Sequence, residues 1–290
     1  MTTSVLVPSS LSREAEDKRE ATRKLGYVAR AATIFRVDRL IVYPDPGGDT
    51  GQFGDGFVET VLRYATTPPY LRKEVWDRRD ELEAVGVLPP LRAPSQTGSE
   101  SNGSGSKRQG IVTEVGPEGR VRVNCGLQHP ISLNAPPSMV VEEGERVTVR
   151  ISSRRPVRAK LVDESPPGFS VERTNLSAAL GREDAGVRIA ASRFGEELTI
   201  GRLETLAGNV ERDGMTVAFG APERGLPDIL GIDQAAIEAA YGVADDANVE
   251  PNDLETGFDL WLNTVPHQGS DVVRTEEALF ATLAPLSLRA

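Results

Sequence analysis

Between Val87 and Ser106 the chain reads VLPPLRAPSQTGSESNGSGS, a stretch too rich in Pro, Ser and Gly to pack a core. The hydrophobic pattern differs on its two sides. Before it, Ser4–Pro8 (SVLVP) reads as a buried strand. Ser12–Ala32 reads as a helix with Ser12 as N-cap, acids early and Arg30 late. Thr33–Tyr43 (TIFRVDRLIVY) is rich in β-branched residues and reads as a second strand. A β-α-β order at a spacing of about 30 residues predicts parallel pairing through a right-handed crossover. The loop PDPGGDTGQFGDG at 44–56 is Gly-rich, but it lacks the GK[ST] ending that a phosphate loop needs. Helices are expected over Phe57–Tyr64 and Tyr70–Ala84, broken by TTPPY.

Beyond the stretch, residues 107–165 give short alternating strands split by turns such as GPEG and EEGE. That pattern predicts a small β-barrel, with the OB type as first choice. PPG at 166–168 closes it. From Phe169 the α/β pattern resumes, with strands expected at Val187–Ala191, Thr216–Phe219 and Asp259–Leu262. Helices fit near Glu196–Leu206 and Arg274–Leu283. The expected organisation is an α/β domain from residues 1–92 and 168–290, interrupted by a linker and β-barrel at 93–167.

Composition narrows the chemistry. The single Cys125 rules out a disulfide framework and a Cys-based zinc site, and only His129 and His267 are available for a histidine metal centre. No run of 18 apolar residues predicts a membrane helix, and the polar start is unlike a secretory signal, so a cytoplasmic location is expected. The net charge of −10 argues against a nucleic-acid partner at ordinary salt. Only five of the 33 basic residues are Lys, however, and acid surplus with scarce Lys suits a protein of a salt-loving host. In molar salt the Debye length is about 3 Å, and global charge then says little about partners.

Two loops each follow an expected strand: FGAPERGLPDILG at 219–231 and NTVPHQGSDVVRTEEA at 263–278. Ligands of open α/β sheets sit outside the carboxyl ends of strands. Gly220, Gly225 and Gly269 allow close backbone approach, and Pro222, Pro227 and Pro266 stiffen the loops. Asn263, Thr264 and Gln268 add neutral hydrogen-bonding groups.

These loops, with VLVPSSL at 5–11, ATTPPYLRK at 65–73 and VGVLPPLR at 85–92, resemble the archaeal and eukaryotic branch of the SPOUT RNA methyltransferases over nearly the whole chain. The resemblance implies a trefoil-knotted α/β domain with an OB-like insertion, S-adenosyl-L-methionine as cofactor, a homodimer, and RNA as partner. The RNA is expected to be rRNA, with N3 of a large-subunit uridine as the target. The cofactor residues it implies are Ser192, Phe219, Gly220, Pro222, Gly225, Asn263, Thr264, Pro266, Gln268 and Gly269, with Arg274 and Thr275 opening the last helix. Arg36, Arg193, Arg274 and Glu276 are the candidates for stabilising an anion or moving a proton.

The insertion carries ten basic and seven acidic side chains over 107–165, with an acid-free run of Arg150, Arg154, Arg155, Arg158 and Lys160. OB-folds bind single-stranded nucleic acid in such grooves, although no aromatic residue lies in this range. Tyr70, Arg72 and Lys73 in PPYLRK are further RNA candidates. The rival reading is a non-catalytic RNA-binding or ribosome-assembly factor that keeps the fold.

Overall fold

The computed structural model describes residues 1–48, 53–93, 106–154, 156–241 and 256–288. Its elements, in chain order, begin with β1 (Thr3–Pro8), α1 (Lys18–Ile34), β2 (Arg39–Tyr43), α2 (Phe57–Thr66) and α3 (Arg72–Val75). An antiparallel group follows: β3 (Ser106–Val115), β4 (Arg120–Asn124), β5 (Ile131–Asn134), β6 (Arg146–Arg154) and β7 (Val157–Val162). The chain then adds β8 (Ser170–Arg173), α4 (Leu176–Leu180), β9 (Val187–Glu197), α5 (Ile200–Asp213) and β10 (Met215–Phe219). It ends with α6 (Leu226–Leu230), α7 (Gln234–Tyr241), β11 (Leu260–Asn263) and α8 (Thr275–Leu286). Two units form, one from Met1–Ala65, Asp80–Leu91 and Phe169–Ala290, the other from Thr66–Arg79 and Arg92–Gly168. Thr66–Arg79 thus packs with the antiparallel strands, where the sequence had suggested the α/β part.

In the first unit six strands form a parallel sheet in the order β11-β9-β10-β1-β2-β8. Val5, in the first strand, lies between Val217 and Leu40. Val5, Leu6 and Val7 are fully buried, as expected of a strand covered on both faces. Each such side chain stabilises by about 1.5–3 kcal/mol relative to exposure. Around Leu6, Ile41, Ala190 and Ala218 one face is filled by Trp261 and Phe258, which meet edge to face at 5.8 Å, and by Ile237 of α7. No described helix is long and apolar enough to cross a membrane.

Three local expectations are corrected. Helix α1 starts after Asp17, whose carboxylate accepts from the Glu20 amide at 2.7 Å, while Glu20 accepts from the Glu16 amide at 2.9 Å. Ser12 is buried in a preceding turn and caps nothing. The same helix runs through Ile34, because the Ala-rich YVARAATI outweighs the β-branched residues that follow it. The chain reverses at Arg36 (φ 53°), and the strand begins only at Arg39. Tyr70–Ala84 is not one helix: α3 ends at Trp76, which is extended and whose indole N–H donates to Thr67 Oγ1 at 2.9 Å.

Strand β9 runs past its expected end, and its pairing with β11 jumps. Trp261 faces Ala190, but the next residue, Leu262, faces Glu196. Residues 191–195 therefore leave the pairing with β11, although Ala191 still pairs with Phe219 of β10. Gly195 closes the bulge against backbone: a Cβ there would lie 2.4 Å from the Trp261 carbonyl carbon and 2.5 Å from the Leu262 nitrogen.

The second unit is antiparallel in the order β5-β4-β3-β6-β7, and its two end strands, β5 and β7, approach each other to leave the sheet nearly closed. Val121, Val123, Val147, Val149, Ile151, Leu161 and Cys125 fill its interior. Tyr70 packs on it by donating its hydroxyl to the Gln109 carbonyl at 3.0 Å, and its ring lies against Gly126 (φ 70°), where a Cβ would approach to 2.5 Å. Arg146 donates to the Thr66 carbonyl at 3.2 Å.

Replacing Gly195 by Ala is expected to push β11 from β9 and destabilise by roughly 1–3 kcal/mol. The check is thermal denaturation followed by circular dichroism, where the midpoint should fall by several degrees. An unchanged midpoint would show that the bulge is not tightly closed.

Candidate functional site

A parallel sheet ends all its strands on one side, and here three neighbouring ends meet. The β9 bulge, the loop after β10 and the loop after β11 together line a cavity of about 370 Å³. Each loop is fixed by its own backbone. After β10, Ala221 and Arg224 exchange amide–carbonyl hydrogen bonds at 3.0 and 3.1 Å around Pro222–Glu223, with Glu223 left-handed (φ 59°). Gly220 lies so close to Gly225 that a Cβ would stand 2.8 Å from its backbone. After β11, Asn263 holds two segments at once. Its side-chain amide donates to the Arg193 carbonyl at 3.3 Å, and its side-chain oxygen accepts from the Val265 amide at 3.1 Å. Thr264 and Thr282 share a hydroxyl hydrogen bond at 2.7 Å, and Thr275 donates to the Gly220 carbonyl at 2.9 Å.

Ser192, Phe219, Gly220, Pro222, Gly225, Asn263, Thr264, Gln268 and Thr275 all line this cavity, as does Arg193. Pro266 and Gly269 lie in the same loop, outside the cavity wall. Arg274 is exposed and does not line it either; its amide donates to Glu277 at 2.9 Å, which starts α8. Glu276 is buried, 3.8 Å from Lys24 Nζ on α1 and away from the wall. Lys24 also pairs with Glu14, and burial pushes Lys24 down to about 8 against the attraction of Glu276. Arg36 precedes β2, at the amino ends of the strands and thus at the opposite edge from the cavity.

The profile of the family described as "Putative RNA methyltransferase" matches residues 2–286. The chain belongs to this family. An uncharacterized protein of Haloarcula marismortui is 69% identical over 289 residues, covering 99% of each chain. One of Halobacterium salinarum is 67% identical over 288 residues, again covering 99% of each. The human 28S rRNA (uridine-N(3))-methyltransferase is 28% identical over 312 residues, covering 98% of this chain and 77% of its own.

In this member of the family the cavity wall also contains side chains that sequence reasoning did not single out: Phe194, Glu223, Arg224, Gln234 and Asp271. Arg224 stands inside the FGAPERGL motif, and its partner comes from the loop after β2. Its Nε and Nη2 donate to the Asp45 carboxylate at 3.0–3.2 Å, and Ser10 donates to the same carboxylate at 2.7 Å. The Asp45 side chain is fully buried and that of Arg224 is 21% exposed. Burial pushes the Asp45 carboxyl up, but the hydrogen bonds from Arg224 and Ser10 outweigh it and hold the group below the usual carboxylate range. Tyr43 adds a further tie by donating to the Phe219 carbonyl at 2.7 Å.

The basic run of the second unit is not acid-free once folded. Glu164 lies 3.5 Å from Arg150 and pairs with Lys107. Arg158 and Lys160 are exposed, and with Arg150 they edge a cavity of about 670 Å³ at β5 and β7. Of Arg154 only the backbone is described, and Arg155 lies outside the described residues. Arg72 is half-buried, with Nε donating to the Thr67 carbonyl at 3.1 Å, and Lys73 is exposed.

A carboxyl with a depressed folded pKa stabilises the fold above its unfolded value, and that contribution is lost as pH falls through the depressed one. Asp45→Asn is therefore expected to cost about 1–3 kcal/mol at neutral pH, below the full cost of breaking a buried pair because Arg224 reaches solvent. It should also flatten the acid limb of the stability profile. Urea denaturation from neutral to strongly acidic pH checks this; an acid limb as steep as the wild type's would show that Asp45 does not carry it.

Proposed function

We propose that this chain is an S-adenosylmethionine-dependent RNA methyltransferase that acts on rRNA, at N3 of a uridine. The supporting observation is the convergence of three strand-end loops on one cavity in a member of this family. The printed activity of the human relative supports the choice of atom and RNA. The residues present suit the cofactor. The cavity is within the size range of small-molecule clefts, Phe219, Leu226 and Val265 offer apolar walls for a flat base, and Glu223 and Asp271 supply negative charge for a cation.

When bound, S-adenosylmethionine supplies an electrophilic methyl group on a sulfonium. The work left to the protein is alignment and charge. The glycine-lined turns offer main-chain groups to a base edge, and Asn263 keeps the β9 bulge and the last loop in register. Arg193, exposed at the cavity wall with its guanidinium 4.8 Å from the Phe194 ring, is the cation suited to an anion formed when uridine N3 loses its proton. Of the four sequence candidates it alone lines the cavity.

The remaining features of this reading have separate support. The nearly closed five-stranded order of the second unit supports an OB-like barrel. A trefoil knot enters the proposal through the SPOUT resemblance, and the Thr275–Gly220 hydrogen bond would hold the last loop against the preceding one within it. The relatives from Haloarcula and Halobacterium, with the Arg-rich, Lys-poor composition, support a salt-loving host, and a cytoplasmic location goes with the proposed rRNA substrate. A homodimer completes the proposal by analogy with SPOUT enzymes.

Calorimetric titration with S-adenosylhomocysteine in molar potassium chloride should give saturable binding, and absence of heat from the folded protein would refute the cofactor. Arg193→Ala should lower kcat about 10²–10³-fold while leaving that binding nearly unchanged. Mass spectrometry of rRNA from a deletion strain should reveal one missing uridine methyl group. A complete rRNA profile would instead favour the assembly-factor reading.

A further inference from the structure

The barrel's own strands carry no aromatic residue over 107–165, yet the folded unit is not without them. Thr66–Arg79 (TTPPYLRKEVWDRR) packs with it and brings Tyr70 and Trp76. Two guanidinium–ring pairs result. The Arg108 guanidinium carbon stands 4.9 Å from the Tyr70 ring centre, and that of Arg79 stands 5.5 Å from the Trp76 ring centre. Tyr70 is 40% exposed, Trp76 is half-buried, and Lys73, Arg78 and Arg79 are exposed. None of those three cations has a carboxylate within ion-pair distance among the described residues.

We infer that Tyr70, Trp76 and the cations Lys73, Arg78 and Arg79 form a binding surface for a single-stranded segment of RNA. The inference rests on the proposed RNA substrate and adds the place where the protein grips it. The chemistry favours a single strand. Rings and guanidinium planes stack on any exposed base, whereas a duplex hides its bases and offers only phosphates. The indole is also anchored: its N–H is held by Thr67, so little rotational freedom remains to be lost when a base stacks. Screening in concentrated salt weakens phosphate contacts more than stacking, which suits a surface built on rings.

The full chain contains two Trp residues, and Trp261 is completely buried in the core of the other unit. Intrinsic fluorescence therefore reads Trp76 when RNA binds. Titration with a short oligouridylate should quench emission, and Trp76→Phe should remove most of the quench. Trp76→Ala should weaken binding roughly tenfold. The double variant Lys73→Gln, Arg78→Gln should reduce the slope of log K against log salt by about 1.4, or 0.7 for each lost phosphate contact. Circular dichroism and S-adenosylhomocysteine titration identify variants that remain folded, and the surface variants serve if Trp76→Ala does not fold. Wild-type affinity and slope in the double variant, or unchanged emission at RNA saturation, would overturn this surface. Equal binding and quenching by a duplex would overturn the single-strand assignment. Failure of the wild-type protein to bind any RNA would instead remove the substrate reading on which the inference stands.

Discussion

Parallel pairing fixes where chemistry can occur in this molecule. Every strand of the first sheet runs the same way, so every strand end and the loop that follows it appear at one edge. β9, β10 and β11 are neighbours in that sheet, although α5, α6 and α7 separate them in the chain. Their loops are forced together, and the cavity is the space they leave. The bulge in β9 follows from the same geometry: extra residues in one strand must leave the ladder, and here they leave it at the cavity wall with Arg193 among them.

The wall would be soft if it depended on loop backbone alone. Asp45, from the loop after β2, reaches Arg224 beyond the end of β10, across the one intervening strand β1, with help from Ser10 in the loop after β1. A buried charge needs such partners, because isolation in the interior is costly. With Asp45 buried and Arg224 only partly exposed, the pair is screened by salt less than the surface ion pairs of this acidic chain. It is thus an electrostatic tie suited to a solution in which most others are screened.

Much of this was legible in the residues themselves. Runs such as LIVY and MTVAF report burial on both faces, and the Gly- and Pro-bearing segments after β10 and β11 report loops that must approach something closely. The failures have physical causes. Asp45 and Arg224 lie far apart in sequence, and neither residue type signals its partner. TIFRVDRL has strand-like composition, but the helix before it had already taken Thr33 and Ile34. PPYLRKEVWDRR has helical residues, yet the Trp76 indole finds Thr67 and the backbone extends. The aromatics missing from the barrel sequence were supplied by a segment assigned elsewhere, since packing across a sequence gap leaves no local signature.

The position of β1 bears on how the chain acquires its shape. Val5 is made before either of its two partners, and one of them, Val217, follows only after the entire second unit has been made. The antiparallel sheet contains three hairpin pairings close in sequence, β3–β4, β4–β5 and β6–β7, which form readily, whereas the β1–β10 and β2–β8 pairings of the first sheet span the whole second unit and are slow to form. During synthesis the amino-terminal β-α-β piece must therefore wait with one edge of β1 unpaired, a state prone to association with other chains.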